Sequence, residues 1–188
     1  MHEQLPRRLA SERLFAGRVI SVRADRLLYP DGTEHIVEVV EHRGAYGIII
    51  ATTEHGEIVL VRQYRGPARR ELWEIPAGTA EPNEDPLAGA ARELREETGY
   101  SAGSMRALGV LFTTPGFCDE LMHFVHAERL QQGAQSLDDD ERIEVGRFTL
   151  EQARRMVREG VIADAKTVLA LLWLRGDRDQ LAPTTVDI

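Results

Sequence analysis

The chain has 188 residues, 43% hydrophobic and 29% charged, which is enough apolar material for one globular core. Its formal charge of −8 excludes binding to nucleic acid by simple phosphate neutralisation, which needs a basic face. No apolar run reaches membrane-span length, Met1–Arg13 lacks a signal-peptide core, and the single Cys118 has no partner for an internal disulfide. The cytoplasm is therefore the expected location.

Leu14–Leu28 reads as a strand, Tyr29–Thr33 as a turn with Pro30 and Gly32 where turn chemistry wants them, and Glu34–Glu41 as the returning strand. Tyr46–Thr53 and Glu57–Tyr64 are β-branched, flank His55-Gly56 and predict a hairpin. Glu71–Ile75 is a short strand running into Pro76-Ala77-Gly78. A helix follows, with Asp85 as N-cap, Pro86 in its first position and Gly99 as its stop. Met105–Phe112 and Leu121–Ala127 read as strands around the loop Thr113–Glu120, and Arg142–Thr149 as another. Thr149-Leu150-Glu151-Gln152 is a capping box for a helix ending at Gly160, and Ala163–Arg175 is an apolar helix closed by Gly176. The expectation is an α+β domain layered as an α/β/α sandwich, with a small N-terminal antiparallel β subdomain in residues 1–42 and the main domain in 43–188. His2, His35, His42 and His55 read as surface residues. His123 and His126 lie three apart in a strand, on opposite faces, and cannot clamp one metal.

Gly78 to Tyr100 carries the most information. On the predicted helix Glu93 and Glu97 share a face and Glu96 lies beside Glu93. Three carboxylates within a turn repel one another, at the helix end where negative charge is least welcome. Such an arrangement is either a solvated acidic face or a site completed by a cation, and hard oxygen ligands suit Mg²⁺ or Mn²⁺. Arg92, four residues before Glu96, is placed to orient or partly neutralise the carboxylates. The full pattern is Gly78, Glu84 after five residues, then Arg92-Glu93-Leu94-Arg95-Glu96-Glu97-Thr98-Gly99-Tyr100. It resembles the signature of the Nudix hydrolases, G-x5-E-x7-R-E-U-x-E-E-x-G-U with U apolar. Chance agreement at all the fixed positions is on the order of 10⁻⁸ per start.

The resemblance implies hydrolysis of a pyrophosphate bond with Mg²⁺ or Mn²⁺. It implies that Glu93 and Glu97 are the principal metal ligands, that Glu96 is a further ligand or the base that activates water, and that the Ala77 carbonyl also binds metal. Gly78, Glu84 and Arg92 would support that geometry. Three flanking features resemble ADP-ribose pyrophosphatases: Pro115 in Thr114–Glu120, sixteen residues after Gly99; Gln63-Tyr64-Arg65 followed by Glu71–Gly78; and Gly160–Thr167. From this likeness Arg65, Trp73, Glu74, Pro115, Gly116 and Glu120 are the expected substrate contacts. Trp73 also reads as a core residue, and Pro115-Gly116 as an ordinary type II turn signal. The acidic run Leu137–Glu141 is a soluble loop or a segment that brings an acid to the reaction centre. Glu141 matches best by position and Asp139 second, so Glu141 and Glu96 are rival candidates for the base. The subfamily likeness implies a small nucleotide-sugar substrate, no nucleic-acid or membrane partner, and a homodimer exchanging Leu14–Glu41. The alternatives are another substrate, such as a GDP-sugar or dinucleotide, and a non-catalytic nucleotide sensor.

Overall fold

The computed structural model describes residues 5–42, 46–81, 83–139 and 141–174. The chain divides into two compact units. Residues 5–42 and 112–121 make one; the other holds 46–111 and 122–174.

The first unit is an antiparallel sheet in the order β1 (Arg7–Ala16), β2 (Ile20–Leu28), β3 (Glu34–His42). The expected single strand Leu14–Leu28 is in fact the end of β1, a turn and all of β2. The turn closes through the Gly17 amide, which donates to the Ile20 carbonyl at 2.8 Å. A Cβ on Gly17 would stand 2.9 Å from the Ile20 carbonyl oxygen, so the turn favours glycine there. The β-branched Val19-Ile20 that follows conceals the break in the sequence. The β2–β3 turn forms as expected: Gly32 has φ +85°, and Asp31 Oδ1 accepts from the Thr33 amide at 2.9 Å. Residues 112–121 attach to β3, where the Val40 amide donates to Phe117 O at 2.7 Å and the Asp119 amide to Val40 O at 3.2 Å.

The second unit contains β4 (Tyr46–Ala51), β5 (Ile58–Arg65), β6 (Arg70–Glu74), β7 (Ala77–Thr79), α1 (Pro86–Thr98), β8 (Tyr100–Phe112), β9 (Leu121–Gln132), β10 (Glu144–Phe148), α2 (Leu150–Arg158) and α3 (Ala165–Trp173), with the ends of β8 and β9 running into the first unit. The predicted β4–β5 hairpin needs correction. Its turn forms, with the Gly56 amide on Thr53 O at 3.0 Å, but the two strands meet only at a Thr52–Ile58 bridge and enter different sheets. β4 lies between β7 and β9, parallel to β9, in the order β7-β4-β9-β8, and β5 lies between β10 and β6. Burial on both faces drives this. Ile48, Ile49 and Ile50 are all fully buried, and a continuous apolar strand suits a central position with a parallel neighbour.

Alternation along these strands builds two cores. Ile48, Ile50, Ile58, Leu60 and Phe124 pack with Ala153 of α2 and Ala170, Leu171 and Trp173 of α3. Ile49, Ala51, Val59 and Val125 pack with Ala90 and Leu94 of α1. Helices on both sides of the strands make the expected α/β/α layering. The helix punctuation is also as read. Asp85 Oδ1 accepts from the amides of Leu87 and Ala88 at 3.0 and 3.2 Å, and Gly99 ends α1 at φ +75°. The Thr149–Gln152 capping box is complete, with bonds of 3.2 and 2.8 Å. α3 begins two residues later than expected, because Asp164 caps it by accepting from the Thr167 amide at 3.0 Å. Gly176, its expected stop, lies outside the described residues. Among the described residues no helix is long and apolar enough to cross a membrane.

Candidate active site

The site is built around the C-terminal half of α1. Ala90, Leu94, Glu97 and Thr98 form the helix's buried stripe, so the spacing that packs α1 also takes Glu97 inside. Glu97 is 4% exposed, and its Oε2 accepts from the Ala77 amide at 3.0 Å. Burial, with the charges of Glu93 and Glu141 adding to it, pushes the Glu97 carboxyl up to about 8, against the lowering effect of the Ala77 amide. Glu93, also largely enclosed, is pushed up chiefly by burial, with Arg92 opposing the shift and Glu96 and Glu141 adding to it.

Gly78 makes room for Glu93. A Cβ on Gly78 would lie 2.0 Å from the Glu93 carboxyl carbon, so the carboxylate occupies the space a side chain would need. Arg92 is the hub of the acidic face. Its Nη1 donates to Glu93 and Glu96 at 2.9 Å each, and its Nη2 to Glu84 and the Thr79 carbonyl at 3.1 Å each. Glu84 is anchored in turn by the Glu81 amide at 2.8 Å. Together these contacts explain how the helix end tolerates Glu93 and Glu96 side by side.

The helix terminus also places the acidic loop. The last carbonyls of α1 lack partners within the helix. Residues 133–136 supply them: the Gly133 amide donates to Gly99 O at 2.8 Å, Ser136 to Glu96 O at 3.0 Å, and Gln135 Nε2 to Glu97 O at 2.6 Å. The Gly133 carbonyl oxygen lies 2.7 Å from where a Gly99 Cβ would be, so this docking also requires glycine there. The loop that follows carries Glu141 close enough for its charge to act on both Glu93 and Glu97. Asp139 is exposed, and its carbonyl accepts from Arg142 at 3.0 Å. Asp140 lies outside the described residues.

Arg65 and Glu74 form a bidentate pair at 2.8 and 2.7 Å. Glu74 is 2% exposed and also accepts from Lys166 at 2.6 Å. Burial alone would raise its carboxyl, but the two cations hold it below the usual carboxylate range. The Trp73 ring is half-buried, edge-on to Phe148 at 5.0 Å and flanked by Arg62 at 5.7 Å. Pro115, Gly116 and Glu120 belong to the first unit. Asp119 there accepts from Arg23 at 3.2 Å and from the His42 amide at 2.9 Å, which ties their loop to β2 and β3. Gly116 does not take the positive φ of a type II turn; the Phe117 and Cys118 amides both close on Thr114 O instead. His42, read as a surface residue, has a side chain only 14% exposed and pairs with Glu120 at 3.3 Å.

The sequence reading missed Tyr46, whose hydroxyl donates to the Ala77 carbonyl at 3.5 Å, and Lys166. Lys166 had a readable signal: a cation in the first turn of a helix opposes the dipole unless an anion compensates. Among the described residues no three His, Cys, Asp or Glu side chains converge as a ready cage, since Glu93 and Glu96 both turn to Arg92. The donor set still fits a hard divalent cation. It offers only oxygen, and Glu93 and Glu97 carry mutual repulsion that a cation would relieve.

This layering is the Nudix fold. A protein whose crystal structure is described as that of an ADP compounds hydrolase superposes with a TM-score of 0.82 at 23% identity, over 93% of this chain and 95% of that one. The family model for the NUDIX domain matches residues 41–172, and the chain belongs to that family. An ADP-ribose pyrophosphatase of Bacillus subtilis (strain 168) is 40% identical over 89% of this chain and 91% of its own length. A methanol dehydrogenase activator of Bacillus methanolicus is 40% identical over the same shares, 89% and 91%. The chain is a Nudix pyrophosphohydrolase.

Two outcomes are expected from this geometry. Gly78→Ala should displace the Glu93 carboxylate. Pyrophosphohydrolase activity should then fall by about 10–100-fold while stability changes by less than about 1 kcal/mol, as steady-state kinetics and urea denaturation would show. The raised Glu97 carboxyl sets a pH dependence. The folded state holds this proton more tightly than the unfolded one, so its contribution to stability is complete below the ordinary glutamate range and is lost as pH rises through about 8. In EDTA, the Tm of the wild type should therefore fall relative to that of Glu97→Gln between pH 5 and about 8. A constant difference would contradict the buried proton.

Proposed function

We propose that the chain hydrolyses the pyrophosphate bond of ADP-ribose or a related ADP-sugar, giving AMP and, from ADP-ribose, ribose 5-phosphate, with Mg²⁺ or Mn²⁺. The observation that carries this reading is the Glu93–Glu97 pair set against the Gly78 and Ala77 backbone. The 40% identity to the Bacillus subtilis ADP-ribose pyrophosphatase over nearly the whole chain supports the substrate class. Glu93, Glu97 and the Ala77 carbonyl would hold the cation, with Glu96 a further ligand once released from Arg92. When bound there, the cation neutralises the diphosphate and lowers the pKa of the attacking water.

The remaining steps fall to the chain's own side chains. Water attacks phosphorus, the bond from that phosphorus to the bridging oxygen breaks, and the water's proton passes to a carboxylate. Glu141 fits that role better than Asp139, because its charge already acts on Glu93 and Glu97 while Asp139 is exposed. Glu96 remains its rival, although in this arrangement it is engaged by Arg92. Arg65 contacts the substrate, and Arg92 and Glu84 keep the helix carboxylates in place.

The protein acts as a homodimer through its N-terminal sheet. In support, Leu14, Phe15, Val19 and Ile36 are 51–72% exposed, an apolar surface that association would cover. Gel filtration with light scattering should give twice the chain mass at micromolar concentration; a monomer would refute the dimer. A second reading, regulation of a partner enzyme, draws on the name of the Bacillus methanolicus relative.

Incubation with ADP-ribose and Mg²⁺ or Mn²⁺ should release AMP and ribose 5-phosphate, resolved by chromatography, and Glu97→Gln should abolish it. Glu141→Gln should lower kcat by about 10²–10⁴-fold and Asp139→Asn by much less. Turnover of a different nucleotide sugar would replace the substrate. Nucleotide binding with no turnover of any diphosphate would favour the regulatory reading.

A further inference from the structure

Glu74 lies at the centre of a charge network that the reaction chemistry does not itself require. Its buried carboxylate receives Arg65 Nε and Nη2 at 2.8 and 2.7 Å and Lys166 Nζ at 2.6 Å. Lys166 is held from its other side by Asp164 Oδ1, at 2.9 Å. Asp164 is fixed because it is the N-cap of α3, and its other oxygen accepts from the Thr167 amide at 3.0 Å. Two cations and two anions therefore sum to zero. The three inner members are enclosed: the side chains of Glu74, Lys166 and Asp164 are 2%, 12% and 17% exposed. Arg65, at 35%, is the member that reaches solvent.

The exposures assign the roles. Lys166 has both an ion pair on each side and little open surface, so it is poorly placed to meet a ligand itself. Arg65 spends two of its N–H groups on Glu74 and keeps others to donate. A lone carboxylate facing a guanidinium can pivot with it. A carboxylate also clamped by a lysine that is anchored to a helix cap cannot. The position of Lys166 in the first turn of α3 costs favourable dipole energy, which the two carboxylates offset.

We propose that Lys166 is a positioning residue for substrate binding. Anchored by Asp164, it locks the Glu74 carboxylate, and Glu74 orients the Arg65 guanidinium toward the anionic diphosphate. The inference rests on the reading of Arg65 as a substrate contact.

A double-mutant cycle between Lys166→Met and Arg65→Ala tests it, read as the Kd for ADP-ribose by calorimetry in EDTA and as KM and kcat with Mn²⁺. Alone, Lys166→Met should weaken binding and raise KM by about tenfold, with kcat within about threefold of wild type. In the Arg65→Ala background it should add less than about twofold, because the group it positions is gone. Equal effects in both backgrounds, or no effect in either, would overturn the role. A merely structural loss would lower Tm without this dependence on Arg65. Should Lys166→Met fail to fold, Asp164→Asn takes its place: it keeps an oxygen for the Thr167 amide but removes the charge that anchors Lys166, and the same non-additivity is expected. If wild type binds ADP-ribose without hydrolysing it, the activity reading fails while the cycle on Kd still decides Lys166. If wild type neither binds ADP-ribose in EDTA nor turns it over with Mn²⁺, the substrate reading fails and this inference with it.

Discussion

Like charges gathered at the negative end of a helix dipole repel one another, and the site of this protein depends on how that repulsion is contained. Arg92 contains most of it. One guanidinium bridges Glu84, Glu93 and Glu96 and also reaches the Thr79 carbonyl, so it links the helix to the loop before it. The fork of the guanidinium suits this task, since it can meet several carboxylates in fixed directions where an ammonium acts as a point charge. Glu97 is the one glutamate of the set left outside the arrangement. It lies on the buried stripe of α1, and the Ala77 amide is its hydrogen-bond partner from β7. The three glutamates thus differ sharply in environment despite their closeness in sequence.

The same helix end organises what surrounds it. Its unpartnered carbonyls are capped by the Gly133 and Ser136 amides and the Gln135 side chain, and this capping carries Glu141 into the field of Glu93 and Glu97. A requirement of helix termination therefore also brings a further carboxylate near the helix glutamates. Glycine recurs where backbones must approach closely: Gly78 under the Glu93 carboxylate and Gly99 against the Gly133 carbonyl. Two of the signature's fixed positions thus have a steric explanation in this chain, independent of any likeness.

Much was legible before any coordinates. The caps of α1 and α2, the β2–β3 turn, the acidic cluster with its arginine, and the layered α+β class follow from short-range rules, and each is present. Errors arose where neighbours in space decided. Gly17 breaks the stretch Leu14–Leu28 with no proline or asparagine to announce it. The β4–β5 turn is real, yet its strands part, because Ile48–Ile50 need apolar cover on both faces and find it beside β9. His42 looked like any polar surface residue but is largely enclosed and pairs with Glu120, which lies far along the chain.

By itself, the sequence determined that Glu93, Glu96 and Glu97 lie within one helical turn and that Glu97 is in register with Ala90 and Leu94, since both follow from a helix's period. It also determined where the helices start and stop, because capping is a matter of three or four adjacent residues. Only the tertiary structure decided which carboxylate is buried against which amide, that Glu141 is half-buried near the helix glutamates while Asp139 is exposed, and that Lys166 joins Arg65 on Glu74. Those partners lie 20 to 92 positions apart for the Ala77–Glu97 and Glu74–Lys166 contacts. Side-chain electrostatics act through space, and periodicity along a chain carries no information about contacts made across it.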